Sequence, residues 1–291
     1  MNIYPTLKCN LACNFCMNKL IENKPALINH TLDLELLKES IKNYPEFFKE
    51  ASILGGEISL LPKQYIIDMV ELLQKNGCIV EIITNGTTDI NSFFDFSNDI
   101  KLTVSYNFNQ VSNSKLILKN IINCKRDIFI STIIAREIID DVGIVGLEHL
   151  SKLGNVRRLE LHALLPVKNS GYHFASEEQM EQIIDFVQSN KKIRIDFDKQ
   201  LISKSIYEIA DYCIDKNLTI MPDGYFGHQF TKKQFAKLDD CMNHIRKAIF
   251  QLTKTDYPAC NTCEYSDRCK ILYFDRYCLG RKNILRKLVN M

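Results

Sequence analysis

Hydrophobic and polar positions follow two alternating rhythms along the first 200 residues of the chain. Short β-branched or apolar runs that end in polar residues or glycine predict strands, and apolar residues spaced three and four apart predict amphipathic helices. The predicted strands cover residues 3–7, 51–54, 79–83, 102–106, 128–134, 158–163 and 193–197. The predicted helices cover residues 34–44, 65–75, 115–122, 145–153 and 177–188, the first with Thr31 and Asp33 as candidate N-caps.

This alternation of strands and helices predicts an α/β fold, because parallel strands need helical crossovers between them. Roughly six such units favour a partial (β/α)6 TIM-like barrel, although a doubly wound open sheet fits the pattern almost as well. Beyond about residue 200 the alternation weakens, so we divide the chain into a barrel over 1–200 and a C-terminal module over 201–291. The segment Pro222-Asp223-Gly224 predicts a hairpin turn in that module.

Composition excludes several classes of protein. The chain is 46% hydrophobic and 25% charged, as in ordinary globular proteins. Its net charge of +2 gives no basic stripe for nucleic acid, and no apolar run reaches the ~18 residues of a membrane span. The first residues lack the apolar core of a signal peptide. We therefore expect a cytoplasmic protein with neither nucleic acid nor membrane as a partner.

The cysteine content changes this ordinary picture, because the chain has 11 cysteines and the cytosol keeps thiols reduced. So many cysteines in a compartment that prevents disulfides suggest that some of them bind metal. They fall into one group over 9–16 and another over 241–278. The remaining Cys78, Cys124 and Cys213 are scattered, and we expect them to be buried structural residues.

The first group reads Cys9-x3-Cys13-x2-Cys16 and follows directly on the first predicted strand. Three thiolates on one loop can each bind one iron of a [4Fe–4S] cubane, which leaves the fourth iron open for a substrate or cofactor. The alternative is a zinc knuckle. A distant residue would have to supply its fourth ligand, because the nearest histidine in the sequence is His30.

This CxxxCxxC loop, with the aromatic Phe15 before its last cysteine, resembles the radical S-adenosylmethionine (radical SAM) superfamily over roughly the first 200 residues. The resemblance implies that the methionine moiety of S-adenosylmethionine chelates the open iron. It also implies that an electron from the cluster cleaves the cofactor to a 5′-deoxyadenosyl radical. Phe15 is then expected near the adenine. A core contact at the base of the loop is its other role, and the two roles are compatible.

Further positions match the same superfamily. Gly55-Gly56-Glu57 resembles its Gly-Gly-Glu-Pro motif, with Ile58 in place of the proline, and Thr84-Asn85-Gly86 resembles a strand end common among its members. The resemblance implies a cofactor-binding set of Phe15, Gly55, Gly56, Glu57, Thr84, Asn85, Ser105, Arg136 and Leu164. For Arg136 a solvated surface charge is the alternative. His162 faces either the substrate or the core.

The second cysteine group contains Cys260-x2-Cys263-x5-Cys269, which resembles the auxiliary-cluster motif of the SPASM and twitch modules. A full SPASM module has more cysteines, so the resemblance implies one auxiliary [4Fe–4S] cluster. Its ligands are then Cys260, Cys263 and Cys269, completed by Cys278 or Cys241, and we favour Cys278. The alternative is a structural zinc site with four thiolates.

A radical SAM enzyme with this module resembles those that mature ribosomally made peptides by crosslinking, oxidation or epimerisation. The alternatives are a small-molecule dehydrogenase with the same layout, an activator of a partner protein and a non-catalytic scaffold. The expected partners are a peptide substrate and an electron donor such as flavodoxin or ferredoxin. Because the chain starts almost at its first strand, we expect no leader-binding domain ahead of the barrel, and a separate protein would fill that role. No side chain is assigned a catalytic role beyond the cluster itself, and Cys213 is held to be structural.

Overall fold

The computed structural model describes residues 1–21, 24–108, 112–163, 171–173, 175–197, 218–228 and 234–252. Within these residues the strands are β1 (Asn2–Ile3), β2 (Glu50–Ile53), β3 (Ile79–Thr84), β4 (Lys101–Ser105), β5 (Ile128–Ile134), β6 (Val156–Ala163), β7 (Arg194–Phe197), β8 (Leu218–Ile220), β9 (Phe226–His228) and β10 (Gln234–Phe235). The helices are α1 (Lys24–Leu27), α2 (Leu34–Asn43), α3 (Lys63–Lys75), α4 (Ser114–Asn123), α5 (Arg136–Ser151), α6 (Glu177–Ser189) and α7 (Leu238–Leu252).

The described strands form one ten-stranded sheet in the order β10-β9-β8-β1-β2-β3-β4-β5-β6-β7. Strands β1 to β7 pair in chain order and in parallel, as right-handed crossovers require. Helices cross between most of them, while a short 3-10 helix over Ile90–Asp95 connects β3 to β4. The predicted α/β partial barrel is confirmed, with antiparallel strands added at its C-terminal side.

The two faces of the sheet differ in polarity because side chains alternate along each strand. One face carries residues such as Val80 and Ile82, which are fully buried beneath the helices in the main core. The other face is half-exposed and carries polar side chains. Parallel register places one row of them across β4 to β7, from the end of β4 through the middle of β5 and β6: Ser105, Ser131, Glu160 and Asp196.

Two elements differ from their predicted bounds by more than two residues. The first strand ends at Ile3 rather than at residue 7, because Pro5 lacks the N–H that a strand ladder needs. Helix α5 begins at Arg136 rather than at residue 145. Gly143, with φ of 58°, interrupts it, and this break hides the first half of the helix from a search for helical periodicity.

The predicted turn at Pro222–Gly224 is present between β8 and β9. Gly224 has φ of 82°, and the N–H of Met221 donates to the carbonyl of Tyr225 at 2.9 Å. The other edge of β8 pairs in parallel with β1, with Asn2 opposite Thr219. The sheet therefore runs without a break from the barrel into the hairpin.

Cys78 and Cys124 are buried as predicted, whereas Cys213 lies outside the described residues. No helix among the described residues is long and apolar enough to cross a bilayer.

Candidate active site

Backbone hydrogen bonds fix the start of the cysteine loop beyond the end of β1. The N–H of Gly56 donates to the carbonyl of Thr6 at 2.8 Å, and the N–H of Glu57 donates to the carbonyl of Lys8 at 2.7 Å. These bonds continue the β1–β2 pairing up to the residue before Cys9. A Cβ at Gly56 would lie 1.9 Å from the carbonyl oxygen of Lys8, so only glycine permits this approach.

The three thiols of the loop are each at least partly exposed, and they are near enough for their charges to interact. Cys9 is exposed, and Cys13 and Cys16 are half-buried. Burial, followed by the charges of Cys16 and Cys9, raises the pKa of the Cys13 thiol to about 11. Among the described residues, no group of three or more His, Cys, Asp or Glu side chains is arranged to bind a single metal ion. A cubane instead takes one thiolate for each iron, so three thiols on one loop fit such a cluster.

Glu57 is fully buried, and its carboxylate accepts hydrogen bonds from other parts of the chain. Oε1 accepts from the N–H of Ser59 at 3.0 Å and from the hydroxyl of Thr84 at 2.7 Å, and Oε2 accepts from the N–H of Asn85 at 2.8 Å. A buried carboxylate needs such donors to offset its lost hydration. The side chains of Glu57 and Thr84 thus bind each other, and the cofactor contacts expected of these residues stay predictions.

The side chain of Asn85 faces the cysteine loop. Its Nδ2 donates to Oδ1 of Asn10 at 2.8 Å and to Sγ of Cys9 at 3.8 Å. Its Oδ1 accepts from the N–H of Thr87 at 3.0 Å and from its hydroxyl at 2.7 Å. Asn10 in turn donates to the Thr87 hydroxyl at 2.8 Å. Sequence reasoning missed Asn10 and Thr87, for which the only signal was their position beside a motif.

Phe15 is buried in the main core and packs edge-to-face on Tyr172, with ring centroids 5.2 Å apart. Tyr172 is half-buried, and its pKa is raised by burial and then by the charges of Cys13 and Glu137. The segment after β6 therefore contacts the cysteine loop through an aromatic pair. Sequence reasoning missed Tyr172, and Leu164 lies outside the described residues.

Arg136 and Ser105 lie at the carboxyl ends of neighbouring strands. Ser105 is half-buried at the end of β4, and Arg136 is exposed at the start of α5. The N–H of Arg136 donates to the carbonyl of His173 at 2.9 Å. Glu137 holds the same histidine, accepting from its N–H at 2.9 Å and contacting its ring Nδ1 at 2.6 Å. His173 thus fixes the backbone at Arg136 through these hydrogen bonds.

A charged network covers the half-exposed face of β6 and β7. Arg158 pairs with Glu160 and, at 3.0 Å, with Asp196, while its guanidinium lies over the Phe129 ring at 5.1 Å. His162 is exposed on the same face, 3.5 Å from Glu160. The concave face of the barrel therefore presents charged and aromatic groups to anything bound there.

The second cysteine group lies almost wholly outside the described residues, which exclude Cys260, Cys263, Cys269 and Cys278. Cys241, on the first turn of α7, is fully buried in the main hydrophobic core. Burial raises the pKa of its thiol to about 12.

Comparison with known sequences identifies a family and one curated relative. The Radical SAM superfamily matches residues 3–151. The chain is 32% identical over 121 residues to 7-carboxy-7-deazaguanine synthase of Clostridium acetobutylicum, an alignment that covers 38% of this chain and 52% of the synthase. The chain therefore spans about half the length of this relative.

Solved structures resemble the chain over much greater lengths. The structure of anSMEcpe with bound AdoMet (S-adenosylmethionine) and the Cp18Cys peptide has a TM-score of 0.69 at 13% identity, covering 99% of this chain and 97% of the other. Streptococcus suis SuiB bound to S-adenosylmethionine has a TM-score of 0.63 at 16% identity, with coverage of 92% and 71%. At these identities the likeness concerns the fold alone.

Proposed function

This chain belongs to the radical SAM superfamily, and from that premise we propose that it modifies a ribosomally made peptide. Enzymes of this superfamily use a [4Fe–4S] cluster and S-adenosylmethionine. When bound and reduced, the cluster supplies the electron that cleaves S-adenosylmethionine and yields the radical that takes a hydrogen atom from the substrate. We assign Cys9, Cys13 and Cys16 as the ligands of this cluster.

The remaining residues of the proposed site bind and orient the cofactor. Gly55 and Gly56 hold the β2 loop against the cysteine loop and leave its backbone free of side chains, as close approach of a ligand requires. Ser105 and Arg136 supply a hydroxyl and a cation for the cofactor's hydroxyl and carboxylate groups. Phe15, which packs edge-to-face on Tyr172, is the aromatic partner assigned to the adenine.

The proposal of a peptide substrate depends chiefly on one observation, the likeness of nearly the whole chain to a structure that contains a bound peptide. The concave face is compatible with it, because Arg158, Glu160 and Asp196 offer both signs of charge to a peptide's backbone and side chains. Among the described strands, β7 lies at one end of the order, where an extended peptide could add as a further strand.

The test is an assay of the purified, anaerobically reconstituted enzyme with S-adenosylmethionine and a chemical reductant. The candidate substrates are short peptides encoded beside this gene, followed by mass spectrometry. We expect 5′-deoxyadenosine to form together with a mass change in one peptide. Cys13→Ala is the control and should form neither product. Cofactor cleavage that is stimulated only by small metabolites, with every peptide unchanged, would refute the peptide proposal.

We also propose one auxiliary [4Fe–4S] cluster, with Cys260, Cys263, Cys269 and Cys278 as its ligands. The burial of Cys241 in the apolar core supports Cys278 as the fourth ligand, because a cluster there would displace core side chains. Wild-type protein should contain about eight irons, falling to about four in the double variant Cys260→Ala/Cys263→Ala. About four irons with one zinc in the wild type would contradict this assignment.

A small-molecule oxidoreductase is the second candidate. Its small-molecule substrate, though not its reaction type, is favoured by the 32% identity to 7-carboxy-7-deazaguanine synthase, whose name describes a deazaguanine product. The same assay separates the two candidates. If the substrate is a small molecule, a deazaguanine precursor or a polyol added in place of the peptide should stimulate 5′-deoxyadenosine formation.

A further inference from the structure

We propose that Asn85 is a positioning residue that holds Cys9 through an N–H···S hydrogen bond and thereby makes the cluster easier to reduce. The inference rests on the proposed role of Cys9 as a cluster ligand. Asn85 lies in the turn that follows β3, 76 residues from Cys9 in sequence. The nitrogen of its side-chain amide lies 3.8 Å from the Cys9 sulfur.

The orientation of the Asn85 amide follows from its partners. Thr87 offers Oδ1 two donors, its backbone N–H at 3.0 Å and its hydroxyl at 2.7 Å. On the other side, Oδ1 of Asn10 accepts from Nδ2 at 2.8 Å. A flipped amide would place its NH2 group against the Thr87 N–H and its oxygen against Asn10. The NH2 group must therefore point to the cysteine loop, where Cys9 receives it.

Two separate sets of hydrogen bonds hold the turn that carries Asn85. The buried carboxylate of Glu57 accepts from the N–H of Asn85 at 2.8 Å and from the Thr84 hydroxyl at 2.7 Å. Nδ2 of Asn120 donates to the carbonyls of Gly86 and Thr88, each at 2.9 Å. The amide of Asn85 is thus preorganised toward Cys9 and needs no rearrangement to reach the sulfur.

A donor in this position favours the reduced cluster for an electrostatic reason. Reduction adds an electron that is shared with the thiolate sulfurs, so an N–H bound to one of them stabilises the reduced state more than the oxidised state. The second N–H donor at Cys9 is the backbone of Leu11, at 3.4 Å from the sulfur. Loss of the Asn85 donor should therefore shift the midpoint potential to more negative values.

The experiment is an anaerobic redox titration of the full-length reconstituted enzyme without S-adenosylmethionine, followed by electron paramagnetic resonance. The signal to follow is the one that changes when S-adenosylmethionine is added, which identifies the cluster with the open iron. Asn85→Asp keeps the acceptor for Thr87 but replaces the donor with an oxygen, and Asn85→Ala removes both without adding charge. We expect both variants to shift the midpoint potential to more negative values, with the larger shift in Asn85→Asp.

Asn120→Ala is the matched control, because its amide bonds the carbonyls of Gly86 and Thr88 in the same turn. Glu57 and Thr87 still hold Asn85 in this variant, so its midpoint potential should lie closer to the wild type than those of the Asn85 variants. A potential unchanged in Asn85→Ala, or an equal shift in Asn120→Ala, would overturn the proposal, because the new charge in Asn85→Asp shifts the potential by itself. If Asn85→Asp does not load iron, Asn85→Ala carries the test.

The outcome is independent of the substrate, since no peptide is present. Failure of the ligand assignment itself would be seen separately, as a Cys9→Ala variant that retains the cofactor-responsive signal.

Discussion

At the scale of single residues, Gly56 has the least room for change in the candidate site. A methyl group there would lie 1.9 Å from the Lys8 carbonyl oxygen, which is backbone and cannot rotate away. We expect Gly56→Ala to separate the β2 loop from the cysteine loop and to cost at least about 1–3 kcal/mol of unfolding free energy. Urea unfolding and the iron content after reconstitution both measure this.

Gly154→Ala is the control for that substitution, because a Cβ at Gly154 meets nothing within 4 Å. Its stability and iron content should match the wild type. Full iron loading in Gly56→Ala would show that the cysteine loop tolerates a shift of the β2 loop.

The Glu57 carboxylate supports a second prediction at this scale. In Glu57→Gln, an NH2 group replaces one of two oxygens that both face donors, so a donor is left buried without an acceptor. The expected loss is about 1–3 kcal/mol of unfolding free energy, measured by urea denaturation. Glu71→Gln, which removes only an exposed pair with Lys75, should leave the unfolding free energy unchanged. Equal stability of the two variants would contradict the role given to Glu57.

The residues of the site were only partly predictable. The cysteine loop stands out in the sequence because its spacing is rare, and Gly55-Gly56-Glu57 gains its weight from lying about 40 residues after that loop and directly after a predicted strand. The direction in which the Glu57 side chain points cannot be read from the sequence. Its partners Thr84 and Asn85 lie at the end of β3 and directly after it, and only the folded sheet brings them to Glu57. Tyr172 was not predicted either, because a single aromatic residue in a loop gives no periodic signal and its contact with Phe15 forms only in the folded chain.

At the scale of elements, strands were easier to predict than helix starts. The bounds of β5, 128–134, follow from a run of β-branched and apolar residues and match the structure. The start of α5 was missed because Gly143 and the neighbouring Asp140 and Asp141 interrupt the apolar repeat. Tertiary contacts form the first half of that helix, with His173 bonded to its first turn.

The contact between α5 and the segment after β6 depends on pH. Burial alone would raise the pKa of Glu137, but hydrogen bonds from the backbone and ring of His173 outweigh it and lower that pKa below its usual range. Ionised Glu137 therefore stabilises the fold above the ordinary glutamate pKa of about 4.3, and this contribution disappears as the pH falls through the lowered value.

Comparison of wild type with Glu137→Gln tests this pH dependence. The wild type should be the more stable near neutral pH, by less than about 1 kcal/mol because the pair is partly exposed. The difference should shrink in thermal melts at progressively lower pH below about 4.3. A difference that is constant across this range would show that the charge of Glu137 is not involved.

At the scale of the whole molecule, β8 makes the hairpin part of the barrel's sheet, because it pairs with β1. Ile220 is fully buried in the core that the barrel strands share. We expect Ile220→Ala to cost about 2–5 kcal/mol of unfolding free energy. Cluster absorbance and far-ultraviolet circular dichroism should be lost in the same transition.

Tyr225→Ala, in the exposed turn of the same hairpin, is the control and should leave that transition unchanged. If Ile220→Ala gave a separate early transition that left the cluster absorbance intact, the hairpin would be an independent unit.

The pairing of β1 with β8 also has a consequence for the order of events during synthesis. The ribosome releases β1 first, but its outer edge finds its partner only after residue 220 has emerged. At ~5–20 residues per second this interval lasts roughly 10–40 s. During that time an unpaired strand edge lies beside three reduced thiols, open to neighbouring nascent chains and to oxidants. We therefore expect the yield of active protein to depend on conditions during translation as well as on the stability of the finished fold.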